Sequence, residues 1–243
     1  IYEQFEKVCR DFPEKPALIY LGKIYTYSQL KEATENLAAN LSRLGVKKGD
    51  QSILYLSNCP QWVIAWLALV RIGAVAVPIS SIYTPIDLKY MANDSGAETV
   101  FCLDTNFGYV AQVLPETGIK RIIVTNLAEP LPWWKRLIGL GFNKIPFGKV
   151  AQGEHIFSFG SLLRKDSAYS LPPIKVVGEE TFEMLYTGGT TGLPKGVPFT
   201  NILFLESADE QRAVSERFIP RGKDIVVQGG PLFHILGQQV GLG

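Results

Sequence analysis

Residues 187–196 concentrate groups that can bind a phosphate chain, because the run reads Thr-Gly-Gly-Thr-Thr-Gly-Leu-Pro-Lys-Gly. Glycines let backbone N–H groups approach an anion closely, since no Cβ atom stands in the way. The hydroxyls of Thr187, Thr190 and Thr191 can donate to phosphate oxygens, and Lys195 adds a positive charge on a flexible stem. The run therefore predicts a loop that binds a polyphosphate, with a plain glycine-rich turn as the alternative.

This loop differs from the common nucleotide-binding motifs. In G-x-x-x-x-G-K-[ST] a glycine precedes the lysine, whereas here Pro194 precedes Lys195 and Gly196 follows it. The dinucleotide pattern G-x-G-x-x-G does not fit the loop either. No G-x-S-x-G segment indicates a serine nucleophile. The chemistry predicted here is therefore that of a phosphate-binding loop outside these motif classes.

Strand and helix patterns alternate along the chain and must position the loop. Helical apolar spacing covers residues 30–44, 60–72 and 84–95, and short apolar runs predict strands at 52–56, 75–79, 99–103, 121–125 and 182–186. Nearly continuous apolar strands alternating with helices predict an α/β fold, with mostly parallel sheets covered by helices on both faces. In such sheets ligands sit beyond the carboxyl ends of the strands, which is where the loop follows strand 182–186.

Local signals define the ends of two of these helices. Pro60 fits the first position of the helix that Gly73 ends. Thr84 with Asp87 three residues later forms a capping box before the next helix, and Gly96 ends that helix. We therefore expect both helices to begin and end at these residues.

Four segments in order along the chain resemble the adenylate-forming superfamily, which includes acyl-CoA synthetases, luciferases and peptide-synthetase adenylation domains. The loop is similar to the signature Thr-Ser/Gly-Gly-Thr-Thr-Gly-x-Pro-Lys-Gly at all defined positions, with Gly188 where many relatives carry serine. The other segments resemble the family's Tyr-Thr-Tyr-x-x-Leu, Lys/Arg-x-Gly-Ala-x-x-Val-Pro and Pro-x-Phe-His elements, and they lie at 24–30, 69–78 and 231–234. Arg71, within the second of these elements, is expected to be structural because a basic residue at a helix end favours the helix dipole.

The resemblance implies an ATP-dependent carboxylate–CoA ligase, with a medium- to long-chain fatty acid as the preferred substrate. The reaction would join the acid to the α-phosphate of ATP, release pyrophosphate, and then form acyl-CoA and AMP. ATP, CoA and the acid would be the small-molecule partners, and Mg²⁺ would bridge the phosphates. In the loop, the hydroxyls of Thr187, Thr190 and Thr191 would donate to the β- and γ-phosphates. Gly188, Gly189 and Gly192 would let the backbone approach the phosphates. Lys195 would pair with a terminal phosphate.

The Pro-x-Phe-His resemblance also implies a position near the substrate. His234 would be catalytic together with Lys195 and Thr190, and Phe233 and Gly230 would help bind the acid. The alternative for His234 is a histidine packed in the core beneath a helix start, and the alternative for Gly230 is tight backbone packing. Tyr186 fits a position near the nucleotide and a core position in its strand equally well.

Two other functions are compatible with the same residues. One is an adenylating enzyme that uses another carboxylate, or that passes its acyl group to a carrier arm or to oxygen. The other is a non-catalytic module in which the loop only binds a nucleotide.

Composition excludes several classes of protein. The chain has 243 residues, 47% of them hydrophobic, which is typical of a packed domain rather than a disordered one. With 24 basic and 23 acidic residues the net charge is +1, so nothing favours nucleic acid as a partner. The three cysteines, Cys9, Cys59 and Cys102, stand far apart in apolar context, which predicts buried free thiols, no zinc site and a cytoplasmic location.

The order of predicted strands and helices indicates two subdomains. We expect a first α/β subdomain over residues 1–170, with an insertion at 126–160, and the start of a second over 171–243 that carries the loop. By resemblance, a C-terminal domain and the family's magnesium-binding glutamate would lie beyond residue 243. The isolated chain is therefore expected to form no acyl-adenylate.

The insertion contains paired tryptophans, Trp133 and Trp134, followed by Lys135, Arg136 and an apolar tail to Phe142. Two interpretations stay open from the residues alone. Segment 133–142 can rest on a membrane surface, which would make the protein membrane-peripheral. The favoured alternative is a surface insertion packed on its own domain, with its tryptophans half buried.

Overall fold

The computed structural model describes residues 1–141, 145–165, 171–172, 177–188, 193–215 and 225–242. The helices in these ranges are α1 Tyr2–Asp11, α2 Tyr27–Arg43, α3 Pro60–Ile72, α4 Pro85–Ser95, α5 Phe107–Val113, α6 Trp133–Gly141, α7 Phe159–Leu162, α8 Asn201–Ser215 and α9 Ile235–Leu242. The strands are β1 Pro16–Tyr20, β2 Lys23–Thr26, β3 Gln51–Tyr55, β4 Val75–Pro78, β5 Thr99–Leu103, β6 Arg121–Thr125, β7 Ile156–Ser158, β8 Thr181–Thr187 and β9 Lys195–Thr200. Every strand that the sequence predicted is present.

In the part of the chain that the structure describes, seven strands form one sheet in the order β7-β6-β5-β3-β4-β8-β9. All neighbours in it are parallel except β8 and β9, which form an antiparallel pair. Strands β1 and β2 form a separate antiparallel hairpin. The prediction of a mostly parallel sheet with helices is confirmed.

Side chains of the central strands are buried on both faces of the sheet. In β3, Ile53 and Tyr55 belong to one hydrophobic cluster, while Leu54 belongs to the other. Alternate side chains of a strand point to opposite faces, so a strand in the middle of a covered sheet must be apolar throughout. This is why the strands appear in the sequence as continuous apolar runs.

Helix α3 is the central helix of the hydrophobic cluster that contains Leu54. Its N1 residue is Pro60, and it ends at Gly73, whose φ of 75° is a left-handed conformation that glycine adopts without strain. Trp66 of α3 packs against Phe182 of β8 and Phe204 of α8, with ring centroids 5.7 and 5.6 Å away. Helix α3 therefore supports the strand from which the loop emerges.

Helix α4 covers the other face of the sheet. Its N-cap Thr84 accepts a hydrogen bond from the backbone N–H of Asp87, and the Asp87 carboxylate accepts one from the Thr84 backbone N–H. It ends at Gly96, again in a left-handed conformation. The predicted capping box and both ends of this helix are confirmed.

Arg71 has a structural contact, as expected from its place at the end of α3. Its side chain forms a salt bridge with Glu35 of α2 at 3.0 Å. It also donates hydrogen bonds to the backbone carbonyls of Leu171 and Pro172. Arg71 thus joins two helices to the segment that precedes β8.

Residues from both predicted subdomains share the main sheet. Ala76 of β4 pairs with Glu183 of β8, and β7 lies within the predicted insertion yet extends the sheet beside β6. The predicted division at residue 170 stays a prediction.

One of the two tryptophans of α6 does not pack as the favoured interpretation expected. Trp133 is 74% exposed and Trp134 is 48% exposed. Helix α6 therefore presents large apolar side chains to solvent, which corrects the expectation of half-buried tryptophans for Trp133.

All three cysteines are free and buried, as predicted. Burial raises the pKa of the Cys59 thiol to about 12, so this thiol stays protonated at neutral pH. Among the described residues we find no helix with the length and hydropathy of a membrane span.

Candidate phosphate-binding site

The hairpin of β8 and β9 positions the described part of the phosphate loop. Thr187, the last residue of β8, pairs with Lys195, the first residue of β9, and the Thr187 hydroxyl donates to the Lys195 carbonyl at 3.4 Å. Thr187, Gly188 and Lys195 are all exposed. The predicted site residues Gly189, Thr190, Thr191 and Gly192 lie outside the described residues. The hairpin therefore brings a hydroxyl, a glycine and an ammonium group together at one end of the sheet.

Lys195 has no acidic partner in the part of the chain that the structure describes. At Gly188, a Cβ atom would meet no described atom within 4 Å. Neither residue is therefore engaged by the described residues around the hairpin.

Helix α4 is hydrogen-bonded to both ends of the loop. The Tyr186 hydroxyl donates to the Asp94 carboxylate at 2.6 Å, and the Tyr90 hydroxyl donates to the carbonyl of Pro194 at 2.8 Å. The Tyr90 and Tyr186 rings meet edge to face, with centroids 6.5 Å apart. Burial and the Asp94 carboxylate raise the pKa of Tyr186, so its hydroxyl remains a donor.

Sequence reasoning missed Tyr90 and Asp94 as partners of the loop. They lie four residues apart in α4, a spacing that places two side chains on one face of a helix. The four-residue spacing was the only signal in the sequence, and it does not identify what this face of α4 contacts. Tyr186 was expected either near the nucleotide or in the core. It is partly buried and hydrogen-bonded to α4, so neither position is excluded.

Glu183 is a buried carboxyl group in the middle of β8. Its Oε1 accepts hydrogen bonds from the indole N–H of Trp66 at 3.0 Å and the amide of Gln238 at 2.8 Å. Its Oε2 has no hydrogen-bond partner among the described residues. Burial raises the pKa of Glu183 to about 8, although the two hydrogen bonds act in the opposite direction. A neutral Glu183 therefore joins β8 to α3 and α9.

Asn58 holds the segment that carries the Pro-x-Phe-His element. Its amide donates to the carbonyl of Gly230 at 2.8 Å, and its Oδ1 accepts from the backbone N–H of Leu232 at 2.9 Å. Gln238 also donates to the carbonyl of Leu232. Asn58 follows the carboxyl end of β3, so the sheet itself positions this segment.

His234 lies at the start of α9 and is exposed. Its backbone N–H donates to the Pro231 carbonyl, and its Nδ1 accepts from the backbone N–H of Leu236 at 3.2 Å. It is therefore not packed in the core, which was the alternative for this residue. Phe233 beside it is partly buried.

Gly230 packs tightly against Gly237. A Cβ atom on Gly230 would come within 3.0 Å of the Gly237 Cα, and one on Gly237 would overlap the Pro231 carbonyl at 2.2 Å. Close backbone packing accounts for both glycines. A contact between Gly230 and a substrate stays a prediction.

The phosphate loop and the Asn58-bound segment share the carboxyl edge of the sheet. The loop follows β8 and Asn58 follows β3, with β4 between these strands. Two strand spacings correspond to about 10 Å. This edge is where ligands bind in parallel sheets, so the arrangement suits a ligand with a phosphate end and a second reacting group.

A separate cavity of about 460 Å³ opens elsewhere at this edge. Its polar lining includes Asp104 after β5, Asn126 after β6 and Ser158, the last residue of β7. Strands β3 and β4 lie between this cavity and the phosphate loop. The cavity is therefore not part of the candidate site.

Comparison with known proteins adds a family to this geometry. The AMP-binding enzyme family matches residues 5–242 of the chain. A long-chain-fatty-acid–CoA ligase of Salmonella typhimurium is 30% identical over 97% of this chain, and 4-coumarate–CoA ligase 1 of Solanum tuberosum is 26% identical over 93% of it. The chain covers 42% and 37% of these two relatives, respectively.

A solved structure is similar over almost the whole chain. The crystal structure of a long-chain-fatty-acid–CoA ligase from Archaeoglobus fulgidus matches with a TM-score of 0.77 and 25% identity. The match covers 98% of this chain and 44% of that one.

Removing the Tyr90 hydroxyl should loosen the loop. In Tyr90→Phe the Pro194 carbonyl loses a neutral hydrogen bond worth about 1 kcal/mol, so the loop should open about five-fold more often. Hydrogen–deuterium exchange of peptides covering residues 186–196 should be faster by a similar factor. Tyr109→Phe, at an exposed position of α5, is the matched control and should leave exchange unchanged. Equal exchange in wild type and Tyr90→Phe would show that the α4 contact does not hold the loop.

Glu183 should make stability depend on pH. The pKa of Glu183 is higher in the folded protein than in the unfolded chain. Its contribution to the free energy of unfolding is therefore fully present below about pH 4.5 and is lost as pH rises toward about 8. Glu183→Gln keeps an acceptor for Trp66 and Gln238 without a charge. Its free energy of unfolding should therefore rise relative to wild type across this window, by at most about 1.4 kcal/mol per pH unit.

Urea denaturation at several pH values measures this difference. Glu180→Gln is a control of opposite sign, because Lys48 holds the pKa of the exposed Glu180 below its usual value. Its stabilising contribution is present above that usual value and lost on acidification, so Glu180→Gln should lose stability at neutral pH. A Glu183→Gln difference that is the same at pH 5 and pH 8 would contradict a neutral Glu183.

Proposed function

The chain belongs to the AMP-binding enzyme family, and on that basis we propose that the complete protein is an ATP-dependent acid–thiol ligase. It would activate a carboxylic acid as an acyl-adenylate and transfer the acyl group to CoA, with release of pyrophosphate and AMP. A medium- to long-chain fatty acid is the preferred acid. The activity is proposed for the complete protein because this chain spans less than half the length of the relatives it matches.

One observation carries the proposal: an intact phosphate-binding sequence follows a buried strand at the carboxyl edge of a parallel sheet. Thr187, which bears a hydroxyl, and Lys195, which bears an ammonium group, are cross-strand partners at that edge. Helix α4 fixes Tyr186 and Pro194 on either side of the loop. A decayed loop would need none of these groups, so a non-catalytic role is less well supported.

The proposed reaction meets an electrostatic obstacle. A carboxylate must attack the α-phosphate of ATP, so an anion approaches a polyanion. The new bond joins a carboxylate oxygen to the α-phosphorus, and the bond from that phosphorus to the bridging oxygen breaks as pyrophosphate leaves. Catalysis then depends on positioning and on neutralisation of charge rather than on a protein nucleophile.

The loop would supply part of that neutralisation. In the proposal, Lys195 pairs with a terminal phosphate, and Thr187, Thr190 and Thr191 donate hydroxyl hydrogen bonds to the β- and γ-phosphates. Gly188, Gly189 and Gly192 let backbone N–H groups approach the same oxygens. Each hydrogen bond to a charged oxygen contributes about 1.5–3 kcal/mol, so a few of them decide whether ATP is held productively.

His234 and Phe233 would face the acid rather than ATP. The exposure of His234 at the start of α9 supports this, because an exposed imidazole can meet a substrate carboxylate. Asn58 and Gln238 fix the backbone on both sides of Leu232, so the position of His234 is defined relative to the sheet. Gly230 enters the proposal only as a neighbour of this segment.

Mg²⁺ would accompany ATP and polarise its phosphates when bound. Within the described ranges, no group of three or more His, Cys, Asp or Glu side chains is placed to hold a metal ion. By resemblance, the family's metal-binding glutamate belongs to a later motif. CoA enters the proposal as a substrate.

The choice of acid is supported by the relatives' names. The Salmonella relative and the Archaeoglobus structure are named for long-chain fatty acids. The Solanum relative is named for 4-coumarate, which makes an aromatic acid the second candidate. Both acids would use the same loop chemistry and differ in the pocket for the acyl group.

Pyrophosphate release by the complete protein across a panel of acids tests this proposal. Release should depend on ATP, be fastest with medium- to long-chain saturated fatty acids, and give acyl-CoA only when CoA is present. The isolated 243-residue chain should release none above background. Turnover with coumarate but no fatty acid would overturn the choice of acid, and no acid-dependent release at all would overturn the ligase.

Lys195→Ala in the complete protein should weaken productive ATP binding. Loss of one charge-assisted contact should raise the KM for ATP about 10- to 100-fold. Lys195→Arg should recover part of this loss, since it keeps the charge. Lys47→Ala, at an exposed lysine before β3, is the matched control and should behave as wild type. Unchanged ATP kinetics in Lys195→Ala would remove Lys195 from the phosphate site.

A further inference from the structure

Helix α6 exposes a continuous apolar face. Trp133 and Leu137 are 74% and 59% exposed, and Trp134 and Ile138 are exposed beside them. Residues at positions i, i+1, i+4 and i+5 share one side of a helix. The four large apolar side chains of α6 therefore form one face that solvent reaches.

The opposite side of α6 contacts the rest of the chain. A Cβ atom on Gly139 would overlap Ile145 at 2.2 Å, so this side of the helix lies against its own polypeptide. The Lys135 ammonium donates to the carbonyl of Leu21 at 3.1 Å, at the tip of the β1–β2 hairpin. These contacts orient the helix and leave the tryptophan face pointing outward.

The hairpin tip adds further exposed apolar side chains beside α6. Leu21 and Gly22 form a two-residue turn in which both φ angles are positive, at 48° and 81°. Such turns favour Asn or Gly at the first position, yet here a leucine occupies it and is exposed. Ile19 and Ile24 are cross-strand partners and are also exposed.

The stretch of sequence that contains α6 is basic. Residues 131–153 contain four basic residues, Lys135, Arg136, Lys144 and Lys149, and no acidic one. The whole chain has a net charge of only +1, so this segment concentrates positive charge. Lys135 also lies over the Trp134 ring at 5.4 Å.

We propose that the exposed side chains of α6 and of the hairpin tip form a docking surface for an anionic phospholipid membrane. This α6–hairpin surface comprises Ile19, Leu21, Ile24, Trp133, Trp134, Leu137 and Ile138. The helix would lie in the plane of the interface, with its apolar face among the upper acyl chains and its basic residues at the headgroups. Docking does not rest on the proposed ligase activity.

The chemistry of the surface favours a lipid over a protein partner. Tryptophan is enriched at the membrane interface because its ring is apolar while its N–H needs a polar contact. Basic residues beside such a face add attraction to anionic headgroups, which falls with rising salt. Lysine is depleted in the cores of protein interfaces, whereas Lys135 lies between the helix and the hairpin tip.

Co-sedimentation of the complete protein with vesicles tests the proposal. Vesicles of phosphatidylcholine with 30% phosphatidylglycerol should bind the protein at least about ten-fold more tightly than phosphatidylcholine alone, and added salt should weaken the binding. Trp133→Ser with Trp134→Ser should reduce affinity about ten-fold or more. The matched control is Ile82→Ser with Ile86→Ser, which changes two highly exposed residues elsewhere and should leave binding unchanged.

Two charge-removing double variants distinguish electrostatic docking from purely hydrophobic binding. Lys135→Gln with Arg136→Gln should abolish most of the preference for phosphatidylglycerol, whereas Lys7→Gln with Lys47→Gln should retain it. Thermal unfolding of each variant confirms that it is folded. Equal binding of the tryptophan variant and wild type would overturn the proposal. A wild-type dimer that the tryptophan variant loses, without vesicle binding by either, would instead assign the surface to a second copy of the chain.

Discussion

Parallel pairing of β8 with β4 is the constraint on which the rest of the structure depends. It adds the strand that carries the phosphate loop to a sheet whose other parallel strands run in the same direction. The loop consequently emerges at the edge where β3 presents Asn58, the residue that holds the segment leading to His234. A single pairing thus brings two distant parts of the sequence to one end of the molecule.

Polar contacts from three helices fix the parts around that pairing. Glu183 reaches α3 and α9 from the middle of β8, and Tyr90 and Asp94 reach the loop from α4 on the other face. A buried carboxyl group is costly unless it is neutral and hydrogen-bonded. The Glu183 contacts therefore specify how β8 sits against both helices, and this in turn fixes where Thr187 and Lys195 emerge.

Much of the fold could be predicted from the sequence because the signals are local. Gly73, Gly96 and the Thr84 capping box act within a single helix turn, and the continuous apolar strands are set by burial on both faces. The partners of the loop could not be predicted, since Tyr90 and Pro194 lie 104 residues apart in sequence. The exposure of Trp133 depends on which side of α6 contacts the chain, and the sequence pattern does not contain that information.

A crystal structure of the complete protein with a non-hydrolysable ATP analogue would locate the phosphates relative to the β8–β9 hairpin. We expect the β- and γ-phosphates to lie within about 3 Å of the Thr187 hydroxyl or the Lys195 ammonium, beyond the carboxyl end of β8. The acid-binding side should face His234. Phosphates bound elsewhere, with Lys195 directed away from them, would contradict the proposed phosphate site.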